Sequence, residues 1–78
     1  MTCLYEALEV SPRASATVIR AAYRSLVQQW HPDRQPGDAR SHDRIALLNQ
    51  AYSVLSDPLA RAQYDVDRVR PFVFRELR

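Results

Sequence analysis

A proline-centred break at His31-Pro32-Asp33 constrains the fold of this chain more than any other feature of its sequence. Proline disfavours helical geometry at the residue before it, so a helix that precedes the break must end near Trp30 or His31. The stretch 34–38 that follows is polar and contains a second proline and the single glycine of the chain. The sequence therefore predicts two segments joined by a loop, with an imidazole and a carboxylate at the mouth of the loop.

The segment before the break has the periodicity of an amphipathic helix. Ser15 is the predicted N-cap, and apolar residues follow it at spacings of three and four. At 100° per residue these residues fall within roughly a 100° arc, which predicts one buried stripe. The stripe consists of Ile19, Ala22, Tyr23, Leu26 and Trp30.

A second stripe lies beside the apolar one on the same predicted helix. It contains Arg20, Arg24 and Val27 and projects onto His31. This arrangement predicts a narrow basic edge that runs along the helix to the loop.

The segment after the break predicts a second long helix, which starts around Ser41 to Asp43 and ends near Leu55. Leu47 and Val54 widen its apolar surface. Two long helices with facing apolar stripes and a connecting loop are expected to pack as an antiparallel hairpin. The core stripe of this second helix consists of Ile45, Leu48, Ala51, Tyr52 and Leu55.

Two shorter helices complete the prediction. Thr2 is expected to cap a first helix over Leu4 to Val10. Asp57 and Pro58 predict the cap and first residue of a fourth helix, which covers Leu59 to Asp65. The predicted fold class is therefore all-α, an antiparallel helical hairpin with short first and fourth helices.

Residues 66–78 are predicted to form a C-terminal tail, separate from a domain over residues 1–65. Pro71-Phe72-Val73-Phe74 alternates weakly and contains two aromatic residues. A partly ordered tail that lies on the helices is favoured, because chain termini fray unless they dock. The alternative is a small contact surface for a client, a further domain or a second copy of the chain.

Composition limits the classes of protein that remain. The 78 residues give room for one small domain, and 46% hydrophobic and 26% charged residues suit a soluble globular one. The net charge of +2, with every basic residue an arginine, falls short of a dedicated nucleic-acid binder. The lone Cys3 cannot form an internal disulfide and no apolar run could span a membrane, so a cytoplasmic protein is expected.

Blocks of sequence on both sides of His31-Pro32-Asp33-Arg34 occur in an order typical of one family. Residues 5–10 and 14–24 precede the loop, and residues 49–58 and 61–65 follow it. Together they resemble the J domain of DnaJ-type co-chaperones, from about Leu4 to Asp65. The tripeptide alone is a weak signal, but its position between two long helices with the later blocks in register makes it specific.

The resemblance implies a function in protein folding. J domains bind a DnaK-type (seventy-kilodalton heat-shock) chaperone in its ATP state and stimulate its ATP hydrolysis. The resemblance also implies which positions contact that chaperone, namely the loop, the basic residue after it, two arginines of the helix before it and a tyrosine of that helix that also packs. These positions are His31, Pro32, Asp33, Arg34, Arg20, Arg24 and Tyr23.

The chain departs from the family's pattern along the basic edge. Where further lysines and arginines are common, this sequence has Ala21, Ser25 and Gln29 on the second helix and Ala46 and Asn49 on the third. The electrostatic surface offered to a partner is therefore thin.

Two alternative functions remain open. One is a J-like helical scaffold that binds a different protein without stimulating an ATPase. The other is a basic nucleic-acid-binding module, although acidic residues nearly balance its arginines. Its candidate contacts are Arg13, Arg20, Arg24, Arg34 and Arg44.

The sequence predicts neither an enzyme nor a cofactor site. It has no nucleophile with a base at helical spacing and no glycine-rich phosphate-binding loop. The spacing of the His and Asp residues between positions 31 and 43 fits no standard zinc pattern, so no metal site is expected.

Overall fold

The computed structural model describes residues 3–31, 33–34 and 37–76, and it leaves the side chains of residues 69–76 undescribed. These residues form helices and no strand: α1 (Leu4–Ala7), α2 (Ala16–Gln29), α3 (Ala39–Leu55) and α4 (Pro58–Glu76). Helix α3 packs against α1, α2 and α4. The predicted all-α fold class is confirmed.

Helices α2 and α3 form the antiparallel hairpin that the two apolar stripes predict. The hydroxyl of Tyr23, midway along α2, reaches Asn49 of α3, while Trp30 at the end of α2 meets Ser41 at the start of α3. From the first pair to the second, the residue number rises on α2 and falls on α3, as an antiparallel arrangement requires. The N-cap prediction for α2 is also confirmed, because the Ser15 Oγ accepts the Val18 N–H at 3.2 Å.

Helix α3 begins at Ala39, slightly earlier than the Ser41-to-Asp43 start predicted from its apolar pattern. Asp38 is the N-cap, and its Oδ1 accepts the Arg40 N–H at 2.9 Å. Gly37 precedes it with φ of 78°, a left-handed conformation that costs glycine little. The cap therefore sets the first residue of α3, and the apolar periodicity only begins later.

Helix α1 is shorter than predicted at its C-terminal end. It ends at Ala7 rather than Val10 because Glu9 has φ of 56° and leaves the helical conformation. The Glu9 and Val10 N–H groups then donate to the Glu6 and Tyr5 carbonyls, both at 3.0 Å, which is the closing pattern of a Schellman motif.

The N-cap of α1 also differs from the prediction. Cys3 occupies the cap position, and its side chain makes no capping hydrogen bond. The predicted cap, Thr2, lies outside the described residues.

The core lies where the first three helices meet, with α4 packed over them. Burying one large aliphatic side chain contributes about 1.5–3 kcal/mol, so this cluster supplies much of the stability. Two residues of the predicted stripe on α2, Ile19 and Leu26, are buried. The other three, Ala22, Tyr23 and Trp30, are partly exposed. The buried apolar residues are Tyr5, Ala7, Leu8, Ile19, Leu26, Leu48, Ala51 and Leu55.

Helix α4 starts as predicted and ends much later than predicted. Asp57 Oδ1 accepts the Leu59 N–H at 3.2 Å, and Pro58 is the first helical residue. The backbone then remains helical to Glu76, so the expectation of a helix that ends at Asp65 is wrong. The expectation of a tail after Asp65 came from the weak alternation around Pro71 and from the tendency of chain termini to fray.

Contacts of the first turn after Asp65 account for part of this extension. The Gln63 amide donates to Asp67 Oδ1 at 3.1 Å, and the Arg68 guanidinium lies 5.2 Å from the centre of the Tyr5 ring. The division into a domain over 1–65 and a separate tail stays a prediction. No helix in the described part of the chain is both long and apolar enough to cross a membrane.

A polar network around Arg61 fastens α4 to α1 and to the connection between α1 and α2. The Arg61 Nε donates to the Tyr5 hydroxyl at 3.0 Å, and its Nη2 donates to the carbonyls of Pro12 at 3.1 Å and Ala14 at 2.7 Å. The Tyr5 hydroxyl in turn donates to Asp65 Oδ1 at 2.5 Å. We call this set of residues the Arg61 network.

Burial favours the neutral form of the Tyr5 hydroxyl, while the Arg61 guanidinium beside it acts in the opposite direction and lowers the pKa. Burial, reinforced by the hydrogen bond to Asp65, raises the pKa of Tyr5 above its ordinary value. A second tyrosine adds to the attachment, since the Tyr64 hydroxyl accepts the Leu4 N–H at 2.9 Å. That N–H belongs to the first turn of α1 and has no carbonyl partner within the helix.

Replacing Arg61 with alanine is expected to lower the free energy of unfolding by about 2 kcal/mol, because two carbonyls and a tyrosine hydroxyl lose their donor. Urea denaturation followed by circular dichroism measures the change. Arg40→Ala is the matched control, since the Arg40 side chain is exposed and pairs only with the nearby Asp38, and it should cost less than about 0.5 kcal/mol. Equal stability of the two variants would contradict a structural role for the Arg61 network.

Candidate functional site

The described residues of the inter-helix loop form a tight hydrogen-bonded turn. The Arg34 N–H donates to the His31 carbonyl at 2.9 Å, and the His31 N–H donates back to the Gln28 carbonyl of α2 at 3.4 Å. Within the turn, the Asp33 N–H donates to Nδ1 of His31 at 3.2 Å. The loop backbone is therefore tied to α2 and to itself. Pro32, the remaining member of the predicted loop motif, lies outside the described residues.

The side chain of Asp33 is open to solvent. It is 91% exposed, and its Oδ2 lies 3.5 Å from His31 Nδ1, too far for a hydrogen bond of ordinary geometry. The backbone of Asp33 is thus held while its carboxylate remains accessible. An exposed carboxylate with two oxygens can accept paired hydrogen bonds from an incoming guanidinium group.

Ser41 closes the base of the loop. Its hydroxyl donates to the Trp30 carbonyl at 2.5 Å, and its backbone N–H donates to the Asp38 carbonyl at 3.0 Å. Ser41 is almost completely buried, and Trp30 is the C-cap of α2. The bond satisfies one of the carbonyls that a helix end leaves without an intrahelical partner. The sequence identified Ser41 only as a possible helix start, and a serine in the first turn of the helix after a loop was the one available signal.

Arg44 stabilises the same end of the hairpin. Its guanidinium lies 5.7 Å from the centre of the Trp30 ring, and one of its nitrogens lies 3.7 Å from a carboxylate oxygen of Glu9. Its Nε is buried and has no hydrogen-bond partner among the described residues. Arg44 is therefore partly withdrawn from the surface that a nucleic-acid-binding module would use.

The predicted basic edge is present on α2. Arg20 and Arg24 are exposed, and neither forms an ion pair with a described residue. Gln28 continues their stripe by one more turn and lines a shallow cavity of about 210 Å³ together with residues 31, 33 and 34. The basic edge thus leads into the loop surface, which includes the exposed Arg34.

Tyr23 is half-buried and joins α2 to α3. Its ring stacks on Tyr52 with a centroid distance of 4.1 Å and an interplanar angle of 5°, and its hydroxyl donates to Asn49 Oδ1 at 2.6 Å. The predicted packing role of Tyr23 is therefore present. In the sequence, Asn49 stands where the family commonly has a basic residue, and no local pattern signals its hydrogen bond to Tyr23.

Among the described residues, the acidic and imidazole side chains between positions 31 and 43 do not form a metal-binding arrangement. No three His, Cys, Asp or Glu side chains converge in that part of the chain or elsewhere among the residues the structure describes.

The described residues form a helical hairpin whose exposed polar groups lie around one inter-helix loop. The family model for the DnaJ domain matches residues 3–65, which is most of the chain. The chain therefore belongs to the DnaJ domain family.

Curated relatives support the same assignment. The chain is 51% identical over 63 residues to the chaperone protein DnaJ of Rhodopseudomonas palustris strain BisB18, a match that covers 81% of this chain and 17% of the relative. It is 50% identical over 64 residues to the DnaJ of Acidiphilium cryptum strain JF-5, covering 82% of this chain and 17% of the relative. The corresponding match to the DnaJ of Anaplasma marginale strain Florida is 48% over 61 residues, covering 78% and 16%. The chain thus spans about 17% of the length of the curated relatives it matches.

Replacing Ser41 with alanine is expected to lower the free energy of unfolding by about 1–2 kcal/mol, because the Trp30 carbonyl loses its buried donor. The Asp33 amide should also exchange its hydrogen faster, since the base of the loop is no longer fixed. Ser53→Ala is the matched control, because Ser53 lies on the same helix and its exposed hydroxyl bonds only to the Gln50 carbonyl one turn earlier. If both serine variants changed stability and exchange equally, Ser41 would have no special role in holding the loop.

Proposed function

We propose that this domain binds a DnaK-type chaperone in its ATP state and stimulates the partner's ATP hydrolysis, thereby assisting protein folding. The observation that carries the proposal is the exposed carboxylate of Asp33 on a hydrogen-bonded turn, in a chain that belongs to the DnaJ domain family. The domain itself catalyses no reaction in this proposal. Its effect is exerted on the active site of the partner.

Asp33 is proposed to supply the decisive contact. Its carboxylate accepts two parallel hydrogen bonds from a partner arginine in an interface that excludes part of the water. Removing one member of such a pair typically costs about 2–5 kcal/mol, because the other charge is left unpaired. Pro32 limits the backbone freedom beside it through its fixed φ, and Arg34 adds a positive charge on the other side.

Arg20, Arg24 and Tyr23 are proposed to orient the domain on an acidic surface of the chaperone. Exposed charges of this kind raise the rate of encounter and fix the orientation, but they add little net affinity once solvated. Tyr23 contributes the part of its ring that its stacking on Tyr52 leaves accessible.

The scaffold alternative draws support from one observation on this surface. Between α2 and α3 the Tyr23–Asn49 pair presents an uncharged hydrogen bond at a position where the family pattern commonly has a basic residue. A J-like module with such a neutral surface could bind a protein other than a DnaK-type chaperone. The two functions differ in whether an ATPase responds.

Single-turnover ATP hydrolysis by the cognate DnaK-type chaperone tests the proposal. The wild-type domain should accelerate hydrolysis, while Asp33→Asn should reduce the stimulation at least about tenfold through loss of the charged pair. His31→Gln should lose stimulation as well. Asp43→Asn is the matched control, because it makes the same change at an exposed position of α3, and it should behave as wild type.

Two outcomes of this assay would overturn the proposal. If the wild-type domain gave no stimulation, the scaffold alternative would take its place. If Asp33→Asn stimulated as well as wild type, the loop carboxylate would not be the decisive contact.

The basic edge gives a separate, salt-dependent prediction. Arg20→Ala and Arg24→Ala should each reduce stimulation a few-fold at low ionic strength, and the difference from wild type should shrink as salt is added, since the screening length falls from about 10 Å at 0.1 M to about 3 Å at 1 M. Arg13→Ala removes an exposed arginine from the connection between α1 and α2 and serves as the control. A salt-sensitive gel shift of DNA that all three substitutions weaken equally would favour nucleic-acid binding instead.

A further inference from the structure

We infer that His31 is a positioning residue that holds Asp33 only as a neutral imidazole with its proton on Nε2, and that protonation of His31 removes the docking-competent loop. The predicted effect on docking rests on the proposed function. Its structural part concerns this chain alone.

The direction of one hydrogen bond fixes the tautomer. The distance from the Asp33 backbone nitrogen to His31 Nδ1 is 3.2 Å. A backbone N–H can only donate, so Nδ1 must present its lone pair, and in a neutral imidazole the hydrogen then resides on Nε2. The imidazole therefore caps the backbone two residues ahead, as the carbonyl of an asparagine does in an Asx-turn.

Protonation would change Nδ1 from a hydrogen-bond acceptor into a donor. The ring would then carry a hydrogen on Nδ1, directed at the Asp33 N–H, and two donors cannot bond to each other. Asp33 Oδ2 lies 3.5 Å from Nδ1 and can accept a hydrogen bond from the new donor. A small rotation would convert the backbone cap into an ion pair, which occupies the carboxylate that the proposed partner needs.

Among the residues that the structure describes, the groups facing the imidazole give it no other strong partner. The cavity beside it is lined by Gln28 of α2 and by Asp33 and Arg34 of the loop, so one negative and one positive charge share its surroundings. From α3, the residue at the base of the loop is the uncharged Ser41. The His31 side chain is 51% exposed, so water can deliver or remove its proton.

Two variants separate titration from capping. His31→Asn keeps an acceptor that can cap the Asp33 N–H in an Asx-turn but does not titrate between about pH 5 and 8. His31→Ala removes the acceptor altogether. Glutamine places its carbonyl one bond further from the backbone and does not form the Asx-turn, which accounts for the loss of stimulation expected of His31→Gln.

Nuclear magnetic resonance of the isotopically labelled chain tests the structural part without any partner. Near pH 8 the ring nitrogens of His31 should show the Nε2–H tautomer, and on acidification the Asp33 amide resonance should shift with the same midpoint as the His31 ring. The Asp33 amide should not follow that titration in His31→Asn, and it should still follow it in His42→Gln, which removes the other histidine. An Nδ1–H tautomer, or an Asp33 amide that does not respond to the ring, would overturn the inference.

The functional part requires that His31→Asn still stimulates at pH 8, and loss of its stimulation there would overturn the inference. It is then tested by the ratio of stimulation by wild type to stimulation by His31→Asn at each pH, because the chaperone's own pH dependence cancels in that ratio. The ratio should fall at least about threefold between pH 8 and pH 5.5, because protonation removes the acceptor at Nδ1. A constant ratio would overturn the link between protonation and docking. Absence of stimulation by wild type at every pH would instead refute the proposed function, while the resonance experiment would still decide the tautomer.

Discussion

The hydrogen bond from the Ser41 hydroxyl to the Trp30 carbonyl is the constraint on which the geometry of the loop depends. It joins the C-cap of α2 to the first turn of α3 at a buried position, where losing a donor is costly. The apolar contact between α2 and α3 sets the spacing of the helices, but it does not by itself fix where the chain leaves one and enters the other. With both ends of the loop fixed, the turn through His31 and Arg34 has few conformations to lose when a partner binds.

The structure separates the residues that hold the fold from those that present the loop. The Arg61 network ties α4 to α1 through Tyr5 and Asp65, and none of its members belongs to the loop or to the basic edge. The loop depends instead on bonds made within residues 28–41. Substitutions in the Arg61 network should therefore act on docking only through global stability. Changes in the loop can alter docking while the domain stays folded, because Asp33 is exposed and contributes nothing to the core.

Local patterns in the sequence predicted the parts of the fold that local chemistry determines. The caps at Ser15 and Asp57 and the apolar stripes of α2 and α3 depend on residues a few positions apart, and they are present as expected. The end of α1 was missed because the left-handed residue is Glu9, where a glycine would have been the usual signal. The Arg61 network joins residues far apart in the chain, so no periodicity could reveal it. The loop motif placed the candidate site residues, but only coordinates give the direction of the bond between the Asp33 N–H and His31.

Because the basic edge has few charges, other contacts must supply most of the binding free energy of the proposed docking. Two exposed arginines on α2 can speed encounter, but screened surface charges supply little of the binding free energy. The neighbouring Tyr23–Asn49 bond is neutral and already satisfied within the domain, so it gains nothing from a charged partner. In the proposed docking, discrimination among partners then falls on the carboxylate of Asp33, which combines an exposed charge with a backbone that is already held in place. A single fixed carboxylate can discriminate strongly because a partner without a matching arginine leaves that charge unpaired in the interface, which typically costs about 2–5 kcal/mol.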